Sequence, residues 1–449
     1  MKGRPVFLDS WRIPRLAFIL LILLLNVAGF FYFIYYLNKH GYLPSPFIYD
    51  KSDTLMDFFN VLYWAYDEGR YVEWGAVYPP LNFLIIRGLN FLFLGSGYGD
   101  PAIMRESSQA AIFGFLLIYL AIPLLILRVK QWKIFSLTEK ALIYFTIILS
   151  APMLFSLERG NLIILCPLVL ALVISTIGFS RSFFLAILIN LKPYFVILAV
   201  YYLVRRNWKG FITCTTLAGV IFLISGLALD NNFFVFFENV LSFSKEEALF
   251  SLREVLAFPS SISAFSYVLS HPDGIAYAAK ILDPRNTAHL VVIMEAMKWV
   301  ILGVSIAMLA LKFTVIRDAE VFVVLVVAIS NLGIWVGGYT FILYVALIPA
   351  LIEMRNKRVY LTCILLLAIP LDLIVILSDY NGHQYSYFAT DSIEVVWQLG
   401  AGSFLRPVIN LLFLLTVSYE LLTRSLKSKR MVSKAVSFAP SRHFQQVRG

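Results

Sequence analysis

Residues 16–37, "LAFILLILLLNVAGFFYFIYYL", contain no charged side chain. A run of about 20 apolar residues crosses a bilayer as a helix, because in hydrocarbon the backbone must satisfy its own hydrogen bonds. Comparable runs recur near 107–127, 211–229, 290–312 and 405–422. This pattern predicts an all-α, polytopic transmembrane helical bundle. Charge content agrees, being 14% where soluble proteins carry roughly 25%. Between the runs no loop reaches the usual ~100 residues of a soluble domain. The longest spans 230–289, and residues 1–423 read as a single integral membrane domain.

The net charge of +10 is distributed, not patched. Basic residues stand at the ends of apolar runs and in the tail 424–449, which is the positive-inside pattern and no signal for nucleic acid. That tail reads as cytoplasmic and disordered, or lying on anionic lipid. Cys166, Cys214 and Cys363 fall inside apolar runs and read as small core residues, not as a disulfide framework or metal site. No small-residue cleavage site follows the first run, so an uncleaved span is expected.

Lys2, Arg4, Arg12 and Arg15 put the N-terminus in the cytoplasm and residues 38–106 on the outer face. Segment 81–95 is short for a span and reads as re-entrant or interfacial. Further spans are expected near 140–156, 162–178, 320–336, 339–353 and 359–377. Run 183–204 is split by "NLKP" into two short helices meeting at Lys192 and Pro193, since proline cannot continue a helix. The total is roughly 11–12 crossings, with outer loops at 38–106 and 230–289.

Ionisable residues at membrane depth are costly and rare. Here they are Arg87, Glu158 with Arg159, Lys192, Glu295 with Lys298, and Asp372. Glu295 and Lys298, three apart, suit a helical ion pair. Asp372 suits either a basic partner or a buried hydrogen-bonded acid. Lys192 sits at a helix break, where it either snorkels or holds an anion such as a lipid phosphate. Arg159 offers a fork-shaped donor beside Gly160.

Residues 52–81, "SDTLMDFFNVLYWAYDEGRYVEWGAVYPPL", follow the first span with five acids among many aromatic rings. If 53–68 is helical, Asp53 and Asp57 share a face, and Leu55, Phe58 or Phe59, Leu62 and Tyr66 form an apolar stripe. The expectation is a helix on the outer membrane surface, capped by Ser52, with its apolar face in lipid or against the spans. Asp67, Glu68 and Glu73 read as a solvated face. Most of the aromatic residues read as an interfacial belt.

Four motifs occur in order: "MDFFNVLYWAYDEGRYV", "AVYPPLNFLI", "LERGNLIIL" and "INLKPYFVILAVYYLVRRNWKG". The ordered set, over about 50–210, resembles the polytopic glycosyltransferases of the GT-C superfamily, most closely family 87, the mannosyl- and arabinosyltransferase-like group. "GGYTFILYVALIPALI" is similar to a later family span, with Tyr339 and no His at its start. The resemblance implies a GT-C-type bundle that moves a monosaccharide from a polyprenyl-phosphate-linked donor to a glycan or glycolipid acceptor, with inversion, at the outer face. Asp57 is then the expected general base and Asp53 the runner-up. Lys192 and Arg159 are expected at the donor phosphate, and Tyr78, Trp64 and Tyr339 at the sugars. No cofactor or metal is expected. The expected setting is a multi-pass protein of the bacterial plasma membrane with both termini cytoplasmic. Alternatives are a transporter or flippase of lipid-linked sugar, which calls for charges along a whole path, and a polysaccharide polymerase or ligase, which calls for an arginine-rich outer loop. Residues 230–289 hold only Arg253 and Arg285.

Overall fold

A computed structural model of the chain describes residues 12–47, 50–89, 99–229, 232–243, 252–280, 283–311, 316–332, 337–389 and 391–437. It is mostly helical, at 76%, which supports the helical membrane bundle at that level. Five helices among the described residues are long and apolar enough to cross a membrane: Arg15–His40, Gln109–Arg128, Trp208–Leu227, Pro284–Ala310 and Gly402–Arg424. A sixth candidate is the pair Leu137–Ile148 and Ala151–Arg159, bent by 50°. The bend falls where Pro152 opens the second helix, because proline lacks the N–H that would continue the first. The chain is thus a multi-pass membrane protein.

The expected 11–12 crossings are not all reached by helix length. Leu162–Ser175, Gly178–Leu191, Pro193–Val204 and Gly338–Ile352 are apolar but shorter than a full span. Segments of that length suit a buried core better than a lipid-facing crossing. Leu162, Ile163, Leu170 and Val173 are fully buried, as are Leu343 and Leu347. The break at Lys192 is as expected: Gly178–Leu191 ends there and Pro193–Ala199 continues as a 3₁₀ helix. Lys192 itself is extended (φ −143°, ψ 121°), the conformation a following proline imposes.

Residues 359–377 do not form a span. A helix occupies Lys357–Ala368, Pro370 ends the segment, and two antiparallel strands follow. These are β1 (Val375–Tyr385) and β2 (Ser392–Gly400), so the described fold is helical with one hairpin, not all-α. The apolar run Leu371–Leu377 that suggested a span is the hairpin's root. The last helix, Gly402–Ser437, runs on through residues 424–437 of the basic tail, for which disorder or a place on anionic lipid was expected. Segment 81–95 contributes the helix Pro80–Gly88, and its remainder from 90 lies outside the described residues.

Glu295 and Lys298 pair as expected, and Ser263 joins them by donating to Glu295 at 3.0 Å. Asp372 pairs with Arg406, both side chains being fully buried. Arg87 donates to the Ala65 carbonyl, with its guanidinium 5.4 Å from the Tyr66 ring centre.

Candidate active site

The acid-bearing segment begins as a 3₁₀ turn, Lys51–Asp53, capped by Asp50, whose carboxylate accepts from the Ser52 amide at 2.8 Å. Thr54 is extended and Leu55 takes φ +62°, so the helix starts only at Met56 and ends at Trp64. The expected helix from 53, capped by Ser52, is therefore two short elements joined by a left-handed residue. Of the two placements expected for its apolar face, the one against the spans is found: Phe58, Phe59, Val61 and Leu62 are all 0% exposed and Phe58 packs on Phe115. It packs inside the protein, with Asp57 in its first turn where the helix dipole favours negative charge.

The Arg-Gly-Asn segment explains that placement. Helix Ala151–Arg159 ends at Gly160 in a left-handed cap, φ +70°. The Glu158 carbonyl accepts from the Leu55 amide at 2.7 Å, docking the helix end on the strained turn. A Cβ on Gly160 would stand 2.8 Å from Phe58 Cβ and 2.9 Å from the Leu55 carbonyl oxygen, so glycine is needed for space as well as for φ. Gly160→Ala is expected to destabilise the protein by about 2–4 kcal/mol, from left-handed strain plus overpacking. A lowered thermal midpoint of purified protein in detergent checks this, and an unchanged midpoint refutes it.

Either side of this glycine, two side chains hold the acids. Arg159 bonds the Asp53 carboxylate through Nη1 and Asp57 Oδ1 through Nη2, the latter at 3.2 Å. Asn161 donates to Asp57 Oδ2 at 2.8 Å while its own Oδ1 accepts from the Ile163 amide at 3.0 Å. Both Asp57 oxygens are thus fixed by different donors, which orients the carboxylate. Asp53 and Asp57 do meet, but through Arg159 and not along one helix face. Burial raises the Asp53 carboxyl above its ordinary range, with Arg159 pulling the other way. Glu158 is buried beside them, and one of its oxygens has no hydrogen-bond partner. Its other oxygen accepts from Thr54 at 3.5 Å, and Thr54 in turn bonds the Tyr387 hydroxyl.

Lys192 is half-buried, with its ammonium 4.2 Å from the Tyr78 ring centre and within electrostatic reach of Asp57. Among the described residues no carboxylate forms an ion pair with it. Arg159, by contrast, is occupied by two acids, so the expected phosphate role falls more naturally to Lys192. Tyr78 and Tyr339 both feel Asp57 and Arg159. Burial, then the Asp57 charge, push the Tyr78 hydroxyl up, so it stays protonated and able to donate. Tyr339 stacks on Phe155, with centroids 6.1 Å apart. Trp64 is further out, its ring 6.5 Å from that of Tyr78.

Sequence reasoning singled out Glu158 but missed Asn82, Asn161, Thr54 and Tyr387. Asn82 donates to the carbonyls of Pro79, Asn190 and Leu191, at 3.2, 3.2 and 3.0 Å. The last two belong to a helix end whose carbonyls lack helical donors, so Asn82 fastens the Tyr-Pro-Pro turn to the Lys192 break. Its signal was visible as the polar residue following "YPPL" in an apolar segment. A separate apolar pocket of about 100 Å³ is bounded by Arg15, Ile22, Ile147, Pro152, Phe341 and Leu367 among others. Pro152 and Arg159 share one helix, roughly 10 Å apart at 1.5 Å per residue.

Among the described residues no three His, Cys, Asp or Glu side chains are grouped to hold a metal ion. The arrangement offers an oriented carboxylate, a cation without an acid partner among the described residues, and a protonated phenol at Tyr78. No family model, curated protein or solved structure matches the chain.

Proposed function

We propose that this chain is a GT-C-type membrane glycosyltransferase that moves a monosaccharide, mannose or a similar sugar, from a polyprenyl-phosphate donor to a glycan or glycolipid acceptor. The carrying observation is Asp57, whose two oxygens are held by Arg159 and Asn161 with Lys192 in reach. An acceptor hydroxyl approaching Asp57 gives up its proton to that carboxylate as its oxygen bonds the anomeric carbon. The bond from that carbon to the phosphate oxygen breaks on the opposite side, which inverts the centre. The leaving polyprenyl phosphate takes the electron pair, and the Lys192 ammonium stabilises its charge. Tyr78 is placed to donate a hydrogen bond to the sugar or the phosphate.

This reading sets the reaction at the outer face, most readily of a bacterial plasma membrane. It is tested by incubating purified protein with radiolabelled mannosyl- and arabinosyl-phosphoprenols and a cell-envelope glycolipid fraction. Label is expected in the acceptor, with free polyprenyl phosphate released in equal amount. Transfer only from nucleotide sugars would overturn the donor class. Transport of intact donor across vesicles without transfer would replace the reading with a flippase.

A further inference from the structure

The hairpin carries a second surface that the site does not use. Its inner face is anchored: Val395, Trp397 and Leu399 are buried, Trp397 packs on Tyr277 at 5.1 Å, and Asp379 pairs with Lys280 at 2.9 Å. Along β2, the Tyr42 hydroxyl accepts from the Val396 amide at 3.1 Å. The sheet is therefore a fixed plate rather than a free flap.

The outer face is different. By simple alternation Tyr380 and Tyr385 belong on opposite faces of a strand, since their separation is odd. A bulge between Tyr380 and Gly382 shifts the register, pairing Tyr380 with Val396, His383 with Glu394 and Tyr385 with Ser392. Gly382 takes φ +93° there, a conformation that glycine adopts freely. The shift brings Tyr380, His383 and Tyr385 to one face, opposite Glu394 and Ser392. Tyr380 and Tyr385 are 52% and 60% exposed, and His383, Glu394 and Ser392 are exposed too. Their partners Val396 and Ser392 are four residues apart on β2, which sets the two positions about 13 Å apart at ~3.3 Å per residue. Just past Tyr385 the chain reaches Tyr387, whose hydroxyl bonds Thr54 next to Asp53.

We propose that this face binds a short saccharide chain, the acceptor glycan, and leads its end toward Asp57. Aromatic rings offer flat apolar surface to the C–H faces of pyranoses, and the carboxylate, imidazole and hydroxyl between them match sugar hydroxyls. The face carries no lysine or arginine and one carboxylate, which is the wrong charge for an anionic lipid surface. Continuity with the site argues for an oligosaccharide over an unrelated partner. The role as acceptor rests on the transferase reading; saccharide binding by the face does not.

The two are separated by measuring both on full-length protein in nanodiscs. Manno-, arabino-, gluco- and galacto-oligosaccharides of defined length are screened by saturation-transfer NMR, and transfer is followed in parallel. The Tyr380→Ala/Tyr385→Ala double variant is expected to weaken saccharide binding and raise acceptor KM at least about tenfold, with donor KM in place. Tyr380→Phe/Tyr385→Phe, which keeps both rings, is expected to retain binding and so to exclude hairpin misfolding. Saccharide binding without any transfer keeps the platform and sinks the transferase reading. Transfer with an unaltered acceptor KM in the double alanine variant overturns the platform, as does absence of saccharide binding altogether. A spin label at Tyr385→Cys that is relaxed more by oxygen than by a water-soluble nickel complex puts the face in lipid and also overturns it; the described native cysteines are buried and do not compete for label.

Discussion

Asp57→Asn is expected to lower the rate of sugar transfer by ~10²–10⁴-fold, the usual contribution of a positioned base. The substitution keeps the shape of the side chain and an oxygen for Arg159. It removes the basic oxygen that accepts from Asn161. Because the interaction is needed as the proton moves, kcat falls and donor KM changes little. Asp53→Asn beside it separates the two acids. Asp53 has the raised carboxyl, which brings it nearer a working pH, and like Asp57 it bonds Arg159. A larger loss in Asp53→Asn than in Asp57→Asn exchanges their roles. Full activity in both ends the assignment of a carboxylate base to this segment.

The largest stability effect is expected at Asp372. Its carboxylate faces the Arg406 guanidinium, with Nη1 donating to Oδ1 at 3.0 Å, and both side chains are fully buried. The guanidinium also lies 4.0 Å from the Phe258 ring centre. Gly400 and Gly402 make the room, since a Cβ on Gly400 would stand 2.4 Å from Asp372 Cα and one on Gly402 2.5 Å from Asp372 Oδ1. The pair ties the residues before β1 to those after β2 and so closes the root of the hairpin. Asp372→Ala leaves a buried arginine without its acid and is expected to cost about 3–5 kcal/mol. Removing both charges, as in Asp372→Leu/Arg406→Leu, is expected to recover much of that loss, because the desolvation penalty of both ions disappears. Thermal unfolding of Asp372→Leu, Arg406→Leu and the double variant forms the cycle. Additive losses would show that the pair does not act as a unit.

Much of this molecule is written locally. The break at Lys192 follows from proline's missing donor, and the polar placement of Glu295 with Lys298 follows from helical spacing. The hairpin was legible in principle: Ile393, Val395, Trp397 and Leu399 alternate with Ser392, Glu394, Val396 and Gln398, but the apolar run through Leu371–Leu377 joined 359–369 and made the first strand look like the end of a span. Residues 52–68 misled because the acids suit one helical face. The positive φ at Leu55, imposed by docking on Gly160, carries no local signal.

By itself, then, the sequence determined a helical membrane bundle, its longest spans, its proline breaks and the residues Asp53, Asp57, Arg159, Lys192 and Tyr78 as unusual for their setting. Spacing and hydropathy act within a few turns of chain, and these features arise there. Only the tertiary structure decided that Arg159 grips both acids, that Asn161 orients Asp57, that Asn82 fastens the Tyr-Pro-Pro turn to the Lys192 break, and that Asp372 belongs with Arg406. Those partners are 34 to 109 residues apart. Each buried polar group must find a partner, but the identity of that partner is set by which helices pack together, and no local period encodes it.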